Sequence, residues 1–282
     1  MMMMTLIKTM AKTATMLILI LSGLSMVPII ANAQDDGDAD ALARKLSNPA
    51  EANWAINSNL DLIFHGGDIN GAGDQSSVGF LLQPGMPKAL SKGNILFRPA
   101  IPVFLSQTFP GADGFDTKSG LGDISFDLAY GYTNPTTGLL YFVGMVGTTP
   151  TNTIDSMPNL WSFGPEAALG LVKKWGVFGA LVSQQWDIES GPETRNVLGG
   201  QYFYAFSLGN GWQLAAGPTF SYNWDTEQLI LPIGTGVAKT IFLGALPLKL
   251  STQAWYYVER PDGFGNDFQI RFSVAPVIKA LW

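Results

Sequence analysis

The chain has 282 residues, of which 47% are hydrophobic, 13% charged and 12% aromatic, and its formal net charge is −6. It has no cysteine and one histidine, which excludes disulfides, thiolate chemistry and a histidine-rich metal centre. The negative charge and the lack of a basic run argue against nucleic acid as a partner, because phosphate binding needs clustered lysine and arginine.

Residues 1–33 have the pattern of a secretory signal peptide. Two lysines precede a mostly apolar run at 14–30, and residues 31–33 (Ala-Asn-Ala) place small side chains where signal peptidase requires them. We expect cleavage there, which leaves a mature chain that begins at Gln34. The alternative is a retained membrane anchor, since the apolar run is about long enough to cross a bilayer. The acidic residues that follow at once favour cleavage.

Residues 34–53 are predicted to form a short periplasmic arm ahead of the first strand. Within the arm, 38–49 is the only helical pattern downstream of the cleavage site. Leu42 and Leu46 share one helical face, and Pro49 disfavours helical geometry at the residue before it.

From residue 54 onward, apolar and polar side chains alternate in about twelve segments separated by turn residues. This period of two is typical of β-strands with one apolar face. The last segment is too long for an ordinary soluble strand but suits a tilted membrane-spanning strand, which needs about 9–11 residues. A soluble β-sandwich is the alternative. The predicted strands are 54–64, 77–83, 95–105, 122–132, 139–147, 163–173, 177–187, 197–208, 212–224, 229–241, 246–259 and 267–282.

The connections between these segments alternate in length. Outer-membrane barrels place short turns on the periplasmic side and long loops outside, and they have an even number of strands. A sandwich of two sheets would not sort its connections in this way. The long connections are near 65–76, 106–120, 148–160, 188–196 and 259–266, and the short ones are near 134–138, 173–176, 208–211 and 243–247.

The two faces of the strands predict where their side chains lie. Hydrocarbon offers no hydrogen bonds to a sheet edge, so the sheet must close on itself. The sequence therefore predicts an all-β, transmembrane, antiparallel up-and-down β-barrel that spans residues 54–282. Its lumen is predicted to be lined by Asp61, Arg98, Asp123, Asp127, Lys249 and Arg271. Aromatics predicted at the membrane interface are Trp54, Tyr132, Trp212, Trp224 and Trp282.

Two points about the lumen stay open at this stage. Asp123 and Asp127 lie on one strand and would form a constriction that favours cations, or they would pair with Arg98 or a nearby lysine. The lumen of about twelve strands is intermediate in width. It is either a narrow pore or plugged by a loop or by the arm.

Four short motifs carry a family resemblance. They are LARKLSNP at 42–49, GLGD at 120–123, KKWG at 173–176 and YYVERPDG at 256–263. In this order and spacing the chain resembles a family of bacterial outer-membrane proteins named for the meta-pathway of phenol degradation. The resemblance implies an outer-membrane transporter, with a link to the uptake of aromatic compounds, and no catalytic residues. The aromatic ending at Trp282 also resembles barrel strands that the insertion machinery recognises.

His65, at the start of the first long connection, is weighed in two ways. It would serve a Ser-His hydrolase at the membrane surface, as in twelve-stranded outer-membrane phospholipases, or it is a solvated loop residue. The second interpretation is favoured because no G-x-S-x-G motif occurs. The Asp- and Gly-rich stretches 65–75 and 111–120 would bind calcium or serve as ordinary loops, and neither has EF-hand spacing.

These observations favour a channel or transporter in the bacterial outer membrane for small solutes, with aromatic or hydrophobic compounds among the candidates. Its expected partners are outer-membrane lipids, the insertion machinery through the C-terminal strand, and the solute. We expect no cofactor, no metal and no enzymatic activity. The alternatives are a closed barrel that acts through its loops as an adhesin, receptor or structural protein, and an outer-membrane lipid hydrolase.

Overall fold

The computed structural model describes residues 36–51, 54–189 and 194–278. The predicted signal peptide, its cleavage site and Trp282 lie outside these ranges and stay predictions. The first element of the described residues is helix α1 (Asp36–Ser47), close to the predicted helical segment. No helix in the described ranges is long and apolar enough to cross a membrane.

Fourteen strand segments follow, and they form one antiparallel sheet. The first seven are β1 (Trp54–Gly66), β2 (Ser76–Ala89), β3 (Asn94–Gly111), β4 (Gly114–Leu121), β5 (Ser125–Thr133), β6 (Leu139–Thr148) and β7 (Ser162–Lys173). The other seven are β8 (Gly176–Asp187), β9 (Asn196–Gly209), β10 (Trp212–Ala216), β11 (Thr219–Asn223), β12 (Gln228–Leu243), β13 (Leu246–Glu259) and β14 (Gly265–Ile278).

The fourteen segments make twelve strands, because two strands are interrupted. Both β4 and β5 pair with β3, and both β10 and β11 pair with β9 and β12. The sheet closes where β1 pairs with β14, from Trp54 opposite Ile278 to Gly66 opposite Gly265. The predicted closed antiparallel barrel of twelve strands is confirmed.

The break between β10 and β11 has a local cause in Gly217 and Pro218. Proline has no amide hydrogen for the ladder. Side-chain amides replace the missing pairing: the Gly217 N–H donates to Gln253 Oε1 at 3.0 Å, and Gln201 Nε2 donates to the Gly217 carbonyl at 2.8 Å. The wall therefore stays hydrogen-bonded across the break.

The long and short connections lie at opposite ends of the barrel, as the sequence predicts, with one difference. Residues 106–120, predicted to be a loop, instead continue β3 and β4 as a hairpin that turns between Gly111 and Gly114. At the other end, Asn210 and Gly211 both have positive φ, 53° and 74°. Two such residues are typical of the tight turn that joins neighbouring antiparallel strands.

The outer surface carries exposed apolar side chains, while the interior holds smaller packed clusters. Leu169, for example, is 65% exposed, and Val143 is 60% exposed. Inside, one apolar cluster comprises Leu96, Ala129, Phe142 and Ala168, with Leu181 packed against it. A second comprises Ala205, Ala215 and Ala238. A barrel with an apolar exterior is suited to a lipid environment.

Candidate functional site

The arm crosses the short-turn end of the barrel from one wall to the opposite one. At its start, Asp40 Oδ1 accepts the Gly211 N–H at 2.5 Å. Further along, Asn48 Nδ2 donates to Thr133 Oγ1 at 3.0 Å, and the Ala50 carbonyl accepts Asn94 Nδ2 at 2.6 Å. In the described residues the arm, one of the two candidate plugs that the sequence suggests, therefore lies across this end of the lumen and narrows it.

A cavity of about 220 Å³ lies between the arm and the barrel wall. Its lining combines the end of the arm with side chains from strands on all sides of the barrel, so the cavity lies within the lumen. The wall contributes Ala55, Asn57, Gly85, Leu96, Arg98, Phe142, Ala168, Leu181, Gln201, Phe203, Lys249 and Ala275. Of the six residues predicted to line the lumen, Arg98 and Lys249 border this cavity.

Asp61 and Arg271 form a two-pronged ion pair across the closing seam of β1 and β14. Arg271 Nε donates to Asp61 Oδ1 at 2.6 Å and Nη2 donates to Oδ2 at 2.7 Å. The guanidinium also lies 4.4 Å from the ring centroid of Trp255. The pair shares its strand faces with cavity residues Asn57 and Ala275, because side chains two or four positions apart on a strand point the same way.

Arg98 and Asp127 form a second ion pair between β3 and β5, with Arg98 Nη2 2.5 Å from Asp127 Oδ2. Glu166 on β7 lies in the same charge cluster. It is only 4% exposed, and its Oε1 has no hydrogen-bond partner in the described residues. Asp127 is thus engaged by an arginine rather than free to attract cations, which is the second of the two alternatives raised by the sequence.

Asp123 lies at the break between β4 and β5, apart from Asp127. Its Oδ1 accepts the backbone N–H groups of Thr151 and Asn152 at 3.2 and 3.0 Å, and Arg195 Nη2 is 3.4 Å from Oδ2. Asp123 therefore holds the connection between β6 and β7 against the wall. The sequence gives no sign of this role, because the donors are backbone groups about thirty residues away.

Lys249 on β13 projects towards the arm, and its Nζ donates to Ser47 Oγ at 2.7 Å. Ser47 Oγ is also 3.0 Å from Gln213 Oε1 and 2.9 Å from the Ala43 carbonyl. No carboxylate in the described residues lies within ion-pair distance of Lys249. Among the predicted lumen residues, Lys249 differs from the arginines in this respect.

Tryptophans and tyrosines lie at both ends of the apolar exterior. Tyr132 and Trp212 are at the short-turn end, and Trp212 is beneath the Lys239 ammonium, 5.2 Å from its ring centroid. Trp224 is exposed at the long-loop end and donates its indole N–H to Gln184 Oε1 at 2.9 Å. Trp54, in contrast, is 4% exposed and donates to the Pro87 carbonyl. Trp186, at the end of a predicted strand, is exposed as well, and exposed tryptophans not assigned to the interface from the sequence are Trp161 and Trp175.

His65 differs from the solvated loop residue that the sequence favours. It lies within β1, is 5% exposed, and its ring is 4.5 Å from that of Phe264. Its Nε2 is 2.6 Å from Ser77 Oγ, which accepts the Thr108 N–H at 3.0 Å. Ser77 is only 1% exposed. This Ser-His pair links β1, β2 and β3.

Calcium binding by the Asp- and Gly-rich stretches 65–75 and 111–120 would need several oxygen ligands close together. Within residues 36–51, 54–189 and 194–278, no three histidine, aspartate or glutamate side chains are grouped so as to hold a metal ion.

No protein-family model matches the sequence, and no curated protein matches it. Among solved structures, the chain is similar to the COG4313 outer membrane channel from Pseudomonas putida F1, with a TM-score of 0.61 and 15% identity, over 80% of this chain and 96% of that one. It is also similar to the NanC porin (TM-score 0.49, 9% identity, 80% and 99% covered). A third is outer membrane phospholipase A from Escherichia coli (0.42, 13%, 80% and 91%). At 15% identity, the likeness to the Pseudomonas putida channel establishes the barrel fold and no activity. The resemblance to the meta-pathway family stays a prediction.

Proposed function

We propose that this chain is a channel of the bacterial outer membrane that passes small solutes through a lumen narrowed by its N-terminal arm. The observation that carries the proposal is the cavity of about 220 Å³ enclosed by the arm and the barrel wall. Polar and charged side chains border it, while apolar side chains cover the outside of the barrel.

A lipid bilayer explains why the apolar side chains lie on the outside of the barrel and the polar ones on the inside. Exposed apolar area in water costs about 25 cal/mol per Å², so an apolar exterior is stable only when lipid, detergent or protein covers it. The aromatic side chains at both ends of the exterior suit the two headgroup regions. Export by a cleaved signal peptide and insertion through the C-terminal strand belong to the same proposal.

The arm sets the expected size of the passage. Because it crosses the lumen and is fixed by side-chain hydrogen bonds at Asp40, Ser47 and Asn48, free passage is restricted to small molecules. Aromatic or hydrophobic compounds are candidates because Leu96, Phe142 and Phe203 supply apolar lining.

Conductance in planar bilayers and swelling of liposomes test the proposal. Refolded mature protein is compared with a variant that lacks residues 36–51. We expect a small conductance from the intact protein and a several-fold larger one from the variant. If both are folded and neither conducts, the channel function is wrong, and the closed-barrel alternative, with function in the loops, takes its place.

The short distance between His65 and Ser77 keeps the hydrolase as a second candidate. A hydrolase needs a serine that substrate can reach, whereas Ser77 is almost fully covered and its Oγ is occupied by the Thr108 N–H. Esterase assays on wild type and His65→Ala decide the matter: activity lost with His65 would support the hydrolase.

A further inference from the structure

Lys249 presents an unusual situation in a lumen whose other described charges are mostly paired. Asp61 is bound to Arg271, Asp127 to Arg98, and Asp123 to Arg195. Among the described residues, Lys249 has only the neutral hydroxyl of Ser47 as a hydrogen-bond partner. Withdrawing an ammonium group from bulk water is costly unless an opposite charge or several hydrogen bonds compensate it. The arrangement therefore leaves room for an anion.

The space beside Lys249 is large enough to accept one. Lys249 borders the cavity of about 220 Å³ and a smaller neighbouring one of about 170 Å³. Phe203 and Ser47 border both cavities as well. The ammonium, an aromatic ring and the end of the arm thus meet at one place in the lumen.

The other charged groups that border the larger cavity do not neutralise Lys249. Lys45 and Glu51, on the arm, also line it, and Glu51 is held by Asn48 at 3.4 Å. Arg98 is already paired with Asp127. The Arg98, Asp127 and Glu166 cluster lies on strands β3, β5 and β7, across the lumen from β13 in the strand order.

A hydrogen-bond donor near Lys249, the side-chain amide of Gln213, also lacks an acceptor in the described residues. Gln213 accepts from Ser47 through Oε1, and its Nε2 has no acceptor in the described residues although the residue is 1% exposed. A carboxylate has two oxygens and accepts several hydrogen bonds. One placed at Lys249 would meet the ammonium directly and compete with the Ser47 hydroxyl for it.

The opposite part of the lining contains an apolar patch beside Arg98. Leu96, Phe142, Ala168 and Leu181 form a continuous cluster on β3, β6, β7 and β8, and Phe203 adjoins on β9. A ligand that fits both parts has an apolar body and one anionic end. Binding sites of this kind combine an apolar lining with few polar groups that fix orientation.

From this geometry we infer that the lumen contains a binding site for small organic acids, in which Lys249 binds the carboxylate and the wall around Phe203 receives the apolar body. The inference deepens the proposed channel function and names the class of solute. Because the carboxylate takes the place of Ser47 Oγ on Lys249, occupancy also removes one of the contacts that fix the arm.

Equilibrium binding to the full mature chain in detergent micelles tests the site without any need for flux. The probes are benzoate and benzamide, which share a ring and size but differ in charge. Calorimetry with wild type is expected to show benzoate bound at least tenfold more tightly than benzamide. Equal affinities, or no binding of benzoate, would overturn the inference, and this comparison needs no variant.

Variants then assign the site. Lys249→Met is expected to weaken benzoate binding at least tenfold, and Lys249→Arg, which keeps the charge, is expected to retain most of it. Lys88→Met, at an exposed position on β2, is the matched control and should bind as wild type does. Benzoate binding that is unchanged in Lys249→Met would place the site elsewhere and overturn the assignment.

The outcomes also separate this inference from the channel function. Solute flux without selective benzoate binding would support the channel function and contradict the organic-acid site. Selective binding without conductance would support the site and contradict the channel.

Discussion

At the scale of single residues, several described charges of the lumen are held in ion pairs, whereas Lys249 is not. Asp61 and Arg271 join the first and last strands through two charge-assisted hydrogen bonds. Such two-pronged bonds fix orientation as well as adding energy. The pair therefore acts at the place where the barrel closes.

Arg271→Met is expected to lower the free energy of unfolding by about 1–3 kcal/mol, because it leaves Asp61 charged and unpaired in a partly buried place. The matched control is Arg260→Met, since Arg260 and Asp267 are 3.4 Å apart and more exposed. The temperature at which the folded band disappears on a gel measures the difference. The double variant Asp61→Leu/Arg271→Met should recover part of the loss. An equal loss of stability in Arg271→Met and Arg260→Met would contradict a special role for the pair of Asp61 and Arg271.

Ser77→Ala is expected to destabilise the barrel by about 1–3 kcal/mol, since it removes the partner of His65 and leaves the Thr108 N–H unsatisfied. Ser76→Ala is the control, because the Ser76 side chain is exposed and only its carbonyl bonds to Thr108. The same gel assay measures both. A Ser77 variant as stable as the control would show that the Ser-His pair does not hold β1 to β3.

Some residue roles were within reach of the sequence and others were not. Inward positions such as Asp61, Arg98 and Lys249 follow from strict alternation. The pairing of His65 with Ser77 does not, because it needs the register of β1 on β2 and a bulge after Phe64. A one-residue change of register moves every side chain to the other face.

At the scale of elements, the arm and the turn between β9 and β10 depend on each other. The Gly211 N–H binds Asp40, and a Cβ added at Gly211 would lie 2.6 Å from the Thr240 carbonyl oxygen and 3.2 Å from Ala39 Cβ. Gly209, two residues before, also has positive φ but no atom within 4 Å of such a Cβ. Alanine substitutions at the two glycines therefore distinguish the effect of backbone strain, which both share, from the effect of new contacts, which only Gly211 makes.

Gly211→Ala is expected to raise single-channel conductance several-fold by displacing the start of the arm, whereas Gly209→Ala should conduct as wild type does. Both variants lose roughly 1 kcal/mol of stability from alanine at positive φ, and Gly211→Ala is expected to lose more because its Cβ meets the Thr240 carbonyl oxygen. Planar-bilayer recordings and the gel assay measure the two effects separately. Equal conductance in the two variants would show that the arm is not held through this turn.

The strands and turns were largely predictable, while their interruptions were not. Alternation identifies 122–132, and Asn210-Gly211 identifies a tight turn. Pro99 and Pro102 each remove a donor from the ladder of the predicted strand 95–105, yet β3 is eighteen residues long because its neighbours keep the rest of the ladder paired. The position of α1 inside the barrel follows from contacts with distant strands, which periodicity in its own sequence does not record.

At the scale of the whole molecule, the apolar exterior sets the conditions for a stable fold. We expect mature protein to aggregate in detergent-free buffer and to fold in micelles, with a compact band on unheated gels that is lost after boiling. Light scattering and gel mobility measure this. A soluble monomer without detergent would contradict the membrane assignment, because exposed side chains such as Val143 and Leu169 would then face water.

The pairing of β1 with β14 has a consequence for how such a molecule is made. During synthesis β1 gains its second neighbour only when β14 has been made, more than two hundred residues later in the chain. Until then β1 lacks a hydrogen-bonding neighbour on one side, a condition that invites pairing with other chains. We therefore expect a precursor that is stalled or clipped before residue 265 to be bound by chaperones or degraded rather than to form a smaller barrel.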